Sequence, residues 1–350
     1  METLEGPLLV LAGAGAGKTK TITHRILHLI KNGVAPSSIL AVTFTNKAAK
    51  EMQERINKLL TENLGVNRPI SEFDRPFVAT FHGLGAHIIK ENAREIGRTR
   101  HFSIYDRADS KRAVKEALEK KSYNPKEFDP NKILGAISRE KGNAVAIEDY
   151  AERNAGEYFG KITAEIWKIY EETLKRENAL DFDDLILVAN KLLKKDEIRK
   201  TYGLKWKYVH IDEYQDTNKV QYEISKAIVE EHGNLCAVGD IDQNIYSWRG
   251  ANIKNILNFE KDYPKAKLVV LEENYRSTQT ILAVANKLIA KNKMRREKIL
   301  VTRNPIGDKV TIFEALDENH EANFVVEKAK DLQKKGTSLK DIAVLYRANF

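Results

Sequence analysis

Leu8-Leu9-Val10-Leu11-Ala12-Gly13-Ala14-Gly15-Ala16-Gly17-Lys18-Thr19-Lys20 opens on an apolar run and closes where a helical pattern starts. The run Leu8–Ala12 predicts a strand buried on both faces. The glycines let the following loop turn its backbone N–H groups inward around phosphate oxygens, and the next helix adds the positive end of its dipole. Gly13, Ala14, Gly15, Ala16, Gly17, Lys18, Thr19 and Lys20 are therefore candidate nucleotide-binding residues. Lys18 would reach the β- and γ-phosphates and the Thr19 hydroxyl would ligate Mg²⁺. The stretch departs from the P-loop pattern only at Ala12, which replaces the first glycine. Alone, such a loop predicts nucleoside triphosphate binding and says nothing about the work done with it.

A second apolar run, Tyr208-Val209-His210-Ile211, ends in Asp212-Glu213. Acids there lie at the carboxyl edge of a sheet, where ligands of α/β folds bind. Asp212 would hold Mg²⁺, directly or through water, and Glu213 would orient and deprotonate an attacking water. Further strands are predicted at Ile39–Phe44, Phe77–Phe81 and Leu235–Asp240, with helices between them. The pattern is that of a parallel sheet covered by helices. Between about Ala86 and Lys205 buried-strand runs vanish and helical periodicity takes over, which predicts a helical subdomain inserted in the α/β core. From Lys267 a second β-containing segment is expected, with strands at Lys267–Glu272, Lys309–Ala315 and Asp341–Tyr346. The predicted partition is 1–88 and 191–265 for the core, 89–190 for the insert and 266–350 for the second segment.

The 350 residues carry a net charge of +8. A basic surplus suits a polyanionic partner, because neutralised phosphates release counterions. It is uneven: residues 287–303 hold seven Lys/Arg against one acid, Glu297. Such a run fits a solvated helix face as well as a nucleic-acid contact. The one cysteine, Cys236, sits in an apolar run and fits a buried strand position in a reducing compartment. No apolar stretch reaches the ~20 residues of a membrane span. A soluble, cytoplasmic protein is expected.

The motifs then become specific. Asp212-Glu213-Tyr214-Gln215-Asp216-Thr217 resembles motif II of UvrD/Rep/PcrA-type superfamily 1 DNA helicases. Gly239-Asp240-Ile241-Asp242-Gln243-Asn244-Ile245-Tyr246-Ser247-Trp248-Arg249-Gly250-Ala251 resembles their motif III, and Leu271-Glu272-Glu273-Asn274-Tyr275-Arg276-Ser277-Thr278 their motif IV. Thr43–Ala49 resembles motif Ia and Thr80–Gly83 motif Ib, all in the family's order across essentially the whole chain. Leu180–Leu185 and Val344–Asn349 also look like family segments.

The resemblance implies a P-loop NTPase (RecA-like) α/β core with a parallel sheet, an inserted helical subdomain and a partial second RecA-like domain. It implies an ATP- and Mg²⁺-dependent motor moving 3′-to-5′ on single-stranded DNA and acting at single-strand/duplex junctions. By position, Gln243 would sense the γ-phosphate, Tyr275 would stack on adenine, and Arg276 would reach the γ-phosphate from the second motor domain. Phe44, Asn46, His82, Tyr246, Trp248, Arg249, Arg347 and Asn349 would contact DNA. Aromatic rings suit that role because they stack on any base, at roughly 1–3 kcal/mol each. His82 fits a hydrogen-bonded structural histidine as well. Asp181, Asp183 and Asp184 fit a helix N-cap with first-turn acids.

Two departures from the family bear on function. Only Met1–Pro7 precede the first strand, without the Gln-containing segment that reads adenine, so ATP preference over other triphosphates is left open. Motifs V and VI are not reached by Phe350, which leads to the expectation of a motor fragment. The alternative function is a nucleotide- and DNA-binding module that turns over only with a partner chain or the missing C-terminal region.

Overall fold

The computed structural model describes residues 3–64, 75–294, 296 and 298–346. Eight strands occur among them: β1 (Leu8–Ala12), β2 (Ile39–Thr43), β3 (Phe77–Thr80), β4 (Ser103–Tyr105), β5 (Ala179–Asp181), β6 (Tyr208–Ile211), β7 (Leu235–Gly239) and β8 (Lys267–Leu271). Six form one sheet in the order β3-β2-β6-β7-β1-β8, with every neighbouring pair parallel. Each predicted strand of the first segment is present. Most end one residue short of the prediction, because that residue already belongs to the loop or helix beyond the strand.

Alternation along the strands sorts the core into two faces. Leu9, Leu11, Leu40, Val42, Val209, Ile211, Leu235 and Ala237 point to one side. There they meet Leu84 and Ile88 of helix Phe81–Glu91, Leu185 and Ala189 of helix Phe182–Leu193, and Ile224 and Ile228 of helix Lys219–Val229. Leu8, Val10, Ile39, Ala41, Cys236 and Val238 point to the other side, against Ile22 and Ile26 of helix Lys18–Lys31 and Met52 and Ile56 of helix Asn46–Leu64. Both faces are thus covered, which is why the strands read as unbroken apolar runs.

The inserted part has its own core, from Ala113 to Ala179, built on helices Arg107–Lys120, Pro130–Gly142, Ile147–Arg153 and Tyr158–Arg176. Two features differ from the sequence reading. A short parallel ladder, β4 with β5, lies within the stretch expected to be helical. Helix Phe182–Leu193, most of which falls in the predicted insert, packs its apolar face into the core of the central sheet. Three-residue strands are too short to carry a periodicity signal.

Lys267–Leu271 also departs from expectation. It was to open the second β segment, but it hydrogen-bonds along β1 as an edge strand of the central sheet, from Leu8↔Lys267 to Ala12↔Leu271. Lys309–Ala315 and Asp341–Tyr346 form no strand among the described residues. A strand exists only where a neighbour receives its backbone hydrogen bonds, and sequence pattern does not supply one. Residues 305–350 form a separate compact unit. It contains helix Glu318–Lys334, capped by Asp317 accepting from the His320 N–H, and a stacked Phe313–Phe324 pair. No helix among the described residues is long and apolar enough to cross a membrane.

The insert is fastened to the sheet domain by a buried ion cluster. Lys141 Nζ lies 2.6 Å from Glu171, 2.8 Å from Asp181 and 2.8 Å from Asp184. Tyr170 donates its hydroxyl to Asp181 at 2.9 Å. Asp181 also accepts from the Asp184 N–H, and Asp184 from the Asp181 N–H, so the acids cap helix Phe182–Leu193 as the sequence allowed. Burial opposes the Lys141 charge, but Asp184, Asp181 and Glu171 hold its pKa well above the ordinary value.

Removing one member of a buried ion cluster strands the others. Lys141→Met is expected to cost about 3–5 kcal/mol, read as a lower urea midpoint at unchanged slope. A loss below about 1 kcal/mol would mean the cluster behaves like a surface pair. A second prediction concerns His210, which is fully buried in β6. Burial first, then the Arg25 charge, push its pKa down to about 3. The unfolded chain takes the proton near 6.5, and the folded chain resists it. Stability is therefore lost as pH falls from about 6.5 toward about 3. His210→Leu should flatten that part of the stability curve by up to about 1.4 kcal/mol per pH unit, and parallel curves for the two proteins would contradict this.

Candidate nucleotide site and nucleic-acid interface

Parallel strands bring all their carboxyl ends to one edge, so the loops after β1, β6, β7 and β8 meet there. Gly17 (φ +86°) ends the loop after β1 in the left-handed region and hands over to the helix starting at Lys18. Gly15 (φ +72°) has no space for a side chain: a Cβ would stand 2.6 Å from Asn274 Nδ2 and 2.8 Å from Arg276 Cβ. The alternation of glycine and alanine thus serves both the turn and the close approach of the loop after β8.

Lys18 Nζ donates to Glu213 Oε2 at 2.6 Å and to Gln243 Oε1 at 3.3 Å. Thr19 Oγ1 donates to Asp212 Oδ2 at 3.2 Å. Glu213 is one of four non-glycine residues with positive φ (+51°) among the described residues. A left-handed residue that is not glycine costs about 1–3 kcal/mol and is retained where surroundings demand it. Here it turns the Glu213 carboxylate toward Lys18, and Gln215 Nε2 also donates to that carboxylate at 2.8 Å. Gln215 Oε1 in turn accepts from the Asp240 N–H at 2.9 Å, joining the loops after β6 and β7.

Burial, then the Glu213 charge, raise Asp212 to about 6 against the pull of Lys18. Asp216 is raised to about 6 by the same first two causes. An under-compensated buried carboxylate beside a threonine hydroxyl is an oxygen donor set that suits a hard divalent cation, Mg²⁺ among them. Thr19 and Asp212 therefore fit the metal role read from the sequence.

The loop after β8 adds to the sequence reading. Arg276, expected from the second motor domain, lies within the same compact unit as the phosphate loop, and β8 just before it is a strand of the same sheet. Asn274, absent from the predicted site, fastens the two loops. It is buried and donates to the Ala14 carbonyl at 2.6 Å. Its side-chain oxygen accepts from the N–H groups of Arg276 and Ser277 at 2.9 and 2.7 Å. The Tyr275 N–H donates to the Gly15 carbonyl at 3.0 Å. Tyr275 and Arg276 are exposed beside the loop.

On the same edge, Phe44 stacks on Tyr246 with ring centres 5.3 Å apart and planes 20° apart. Trp248 follows at 6.4 Å from Tyr246 and is 71% exposed. Asn46, also exposed, begins the helix after β2. Thr43 of β2 is opposite Thr80 of β3, so Phe44 and His82 leave adjacent strands. His82 meets Phe182 edge-on at 5.8 Å, and burial lowers its pKa. Phe182, half-exposed, is a second residue the sequence reading passed over, since it looked like one more apolar helix position. The Arg249 side chain, Arg347 and Asn349 lie outside the described residues.

Comparison with known proteins identifies the family. Residues 1–264 match the UvrD/REP helicase N-terminal domain and residues 269–350 the UvrD-like helicase C-terminal domain. The chain is 44% identical over 351 aligned positions to the ATP-dependent DNA helicase PcrA of Staphylococcus aureus, and equally to that of Staphylococcus epidermidis. Each alignment covers 100% of this chain and 47% of the relative, so the chain spans about half the length of the relatives it matches. With both family models matched in order along an α/β sheet that carries the phosphate loop, the chain belongs to the UvrD/Rep helicase family.

Proposed function

We propose that this chain is the nucleotide-hydrolysing, DNA-gripping portion of an ATP-dependent DNA helicase or translocase moving 3′-to-5′ on single-stranded DNA. The observation that carries this reading is the Lys18–Glu213 contact beside Gln243, one loop away from the Phe44–Tyr246–Trp248 stripe. Lys18 and Glu213 neutralise each other at 2.6 Å. An incoming triphosphate competes for Lys18 through its β- and γ-oxygens, which frees the Glu213 carboxylate to accept a proton from an attacking water. Gly13, Ala14, Gly15, Ala16, Gly17 and Lys20 complete the phosphate cradle. Thr19 and Asp212 would hold Mg²⁺, which would neutralise the charge that develops on the phosphates. Tyr275 stacks on the base and Arg276 offers its guanidinium to the γ-phosphate.

Gln243 and Trp248 lie five positions apart in one loop, so a change at the γ-phosphate is passed directly to the aromatic stripe. Stacking on Phe44, Tyr246 and Trp248 grips bases without reading them, as a motor that moves along any sequence requires. Asn46 and His82 extend that surface, Phe182 joins it through its edge contact with His82, and the motif resemblance gives Arg249, Arg347 and Asn349 DNA contacts as well. Supporting this reading are the relatives, which are named as ATP-dependent DNA helicases, and the family's ordered motifs.

The test is ATP hydrolysis with and without single-stranded DNA, with Lys18→Ala as control. Stimulated turnover lost in the variant is the expected result. Nucleotide and DNA binding without turnover would instead make this stretch a binding module that needs further chain to hydrolyse. Duplexes tailed on either the 3′ or the 5′ side, given to a protein that turns over, check direction. Unwinding from the 5′ tail alone would contradict 3′-to-5′ movement.

A further inference from the structure

Lys298 follows helix Gln279–Ile289 in the basic run 287–303, yet its side chain is only 7% exposed. Its ammonium pairs with Asp240 Oδ1 and stands 3.2 Å from Asp242 Oδ2, both carboxylates being buried. Asp240 is held from several sides. Oδ1 also accepts from the Asp242 N–H at 3.0 Å, and Oδ2 accepts from Gln243 Nε2 at 2.5 Å. The Gln243 carbonyl oxygen accepts from Lys18 at 3.3 Å. A continuous chain of polar contacts thus runs from Lys298 through Asp240 and Gln243 to the lysine of the phosphate loop.

This chain fixes which way the Gln243 amide faces. Asp240, an acceptor, draws the nitrogen, and Lys18, a donor, draws the oxygen. An amide nitrogen carries two hydrogens, so bonding to Asp240 leaves one to offer a phosphate oxygen. Asp240 without Lys298 would be a buried carboxylate short of its countercharge, close to the space a γ-phosphate enters. Like charges repel strongly where the dielectric is low, and a buried charge stripped of its partner reorganises its surroundings.

We propose that Lys298 is a positioning residue for γ-phosphate recognition: by neutralising Asp240 it holds the Gln243 amide in the orientation that tells a nucleoside triphosphate from a diphosphate, and it ties the segment after helix Gln279–Ile289 to that distinction. The inference rests on the nucleotide site proposed above.

The experiment compares affinities for the β,γ-imido analogue of ATP and for ADP, both with Mg²⁺, by displacement of a fluorescent nucleotide. Wild type, Lys298→Met, Gln243→Ala and the double variant are measured on the full 350-residue chain. Lys298→Met should reduce the preference for the triphosphate about tenfold, equivalent to ~1.4 kcal/mol. ADP affinity should stay within about twofold, and on the Gln243→Ala background the substitution should add nothing further. If Lys298→Met does not fold, Lys298→Gln, which retains a hydrogen-bond donor for Asp240, gives the same comparison. An unchanged preference, an equal loss for both nucleotides, or a full loss that persists without Gln243 each overturns the proposal. A wild-type chain that binds neither nucleotide overturns the nucleotide site itself and this inference with it, whereas wild-type binding with an unresponsive Lys298 variant leaves the site standing.

Discussion

In a sheet whose strands all run one way, every strand ends on the same edge, and each loop that follows begins there. That constraint assembles the candidate site. The phosphate loop follows β1, the carboxylate pair follows β6, Gln243 follows β7, and Asn274 follows β8. Residues more than 250 positions apart, such as Ala14 and Asn274, touch only because β8 pairs with β1. The apolar runs that build the strands contribute burial energy and nothing chemical. Their direction is what converts scattered motifs into one cluster of donors and acceptors.

The cluster is an alternating network of charge. Lys18 stands against Glu213, Gln215 ties Glu213 to the Asp240 loop, and Lys298 closes the far side on Asp240. Such a network is costly when broken at one point, because the low dielectric that strengthens each contact also penalises any group left alone. For the function proposed above it is also poised: the phosphates of a nucleotide would compete for the same cations that the carboxylates now hold. The insert hangs from a second buried cluster, around Lys141, whose acids cap the helix that packs behind the sheet. The two clusters use one device. A buried lysine pairs with carboxylates from another part of the chain and fixes their place.

Much of this was legible in the sequence, and the reason is local. A glycine-spaced loop between a strand and a helix is contiguous, and so is an acid pair at the end of an apolar run. Phe44 and Tyr246 were read as groove residues from motif positions, and the structure stacks them. What was not legible depends on partners distant in the chain. Asn274 reads as an ordinary polar residue until β8 is known to lie beside β1. Lys298 sits among six other basic residues, and nothing in that run distinguishes a buried lysine from a solvated one. That the strand before Arg276 joins the central sheet is hidden for the same reason, since its apolar character suits either sheet. Strands β4 and β5, three residues each, are too short for alternation to show.

The central claim is that the nucleotide edge and the aromatic stripe are one device. Of the three tryptophans, Trp167 and Trp206 are buried and Trp248 is exposed, so intrinsic fluorescence reports on the stripe. The decisive measurement is a titration with single-stranded DNA followed by tryptophan emission, with and without the β,γ-imido analogue of ATP. The account predicts a saturable change that is lost in Trp248→Phe and whose midpoint shifts when the analogue is bound, with a reciprocal shift in nucleotide affinity. A midpoint that ignores the nucleotide, or an emission change that survives Trp248→Phe, would contradict it.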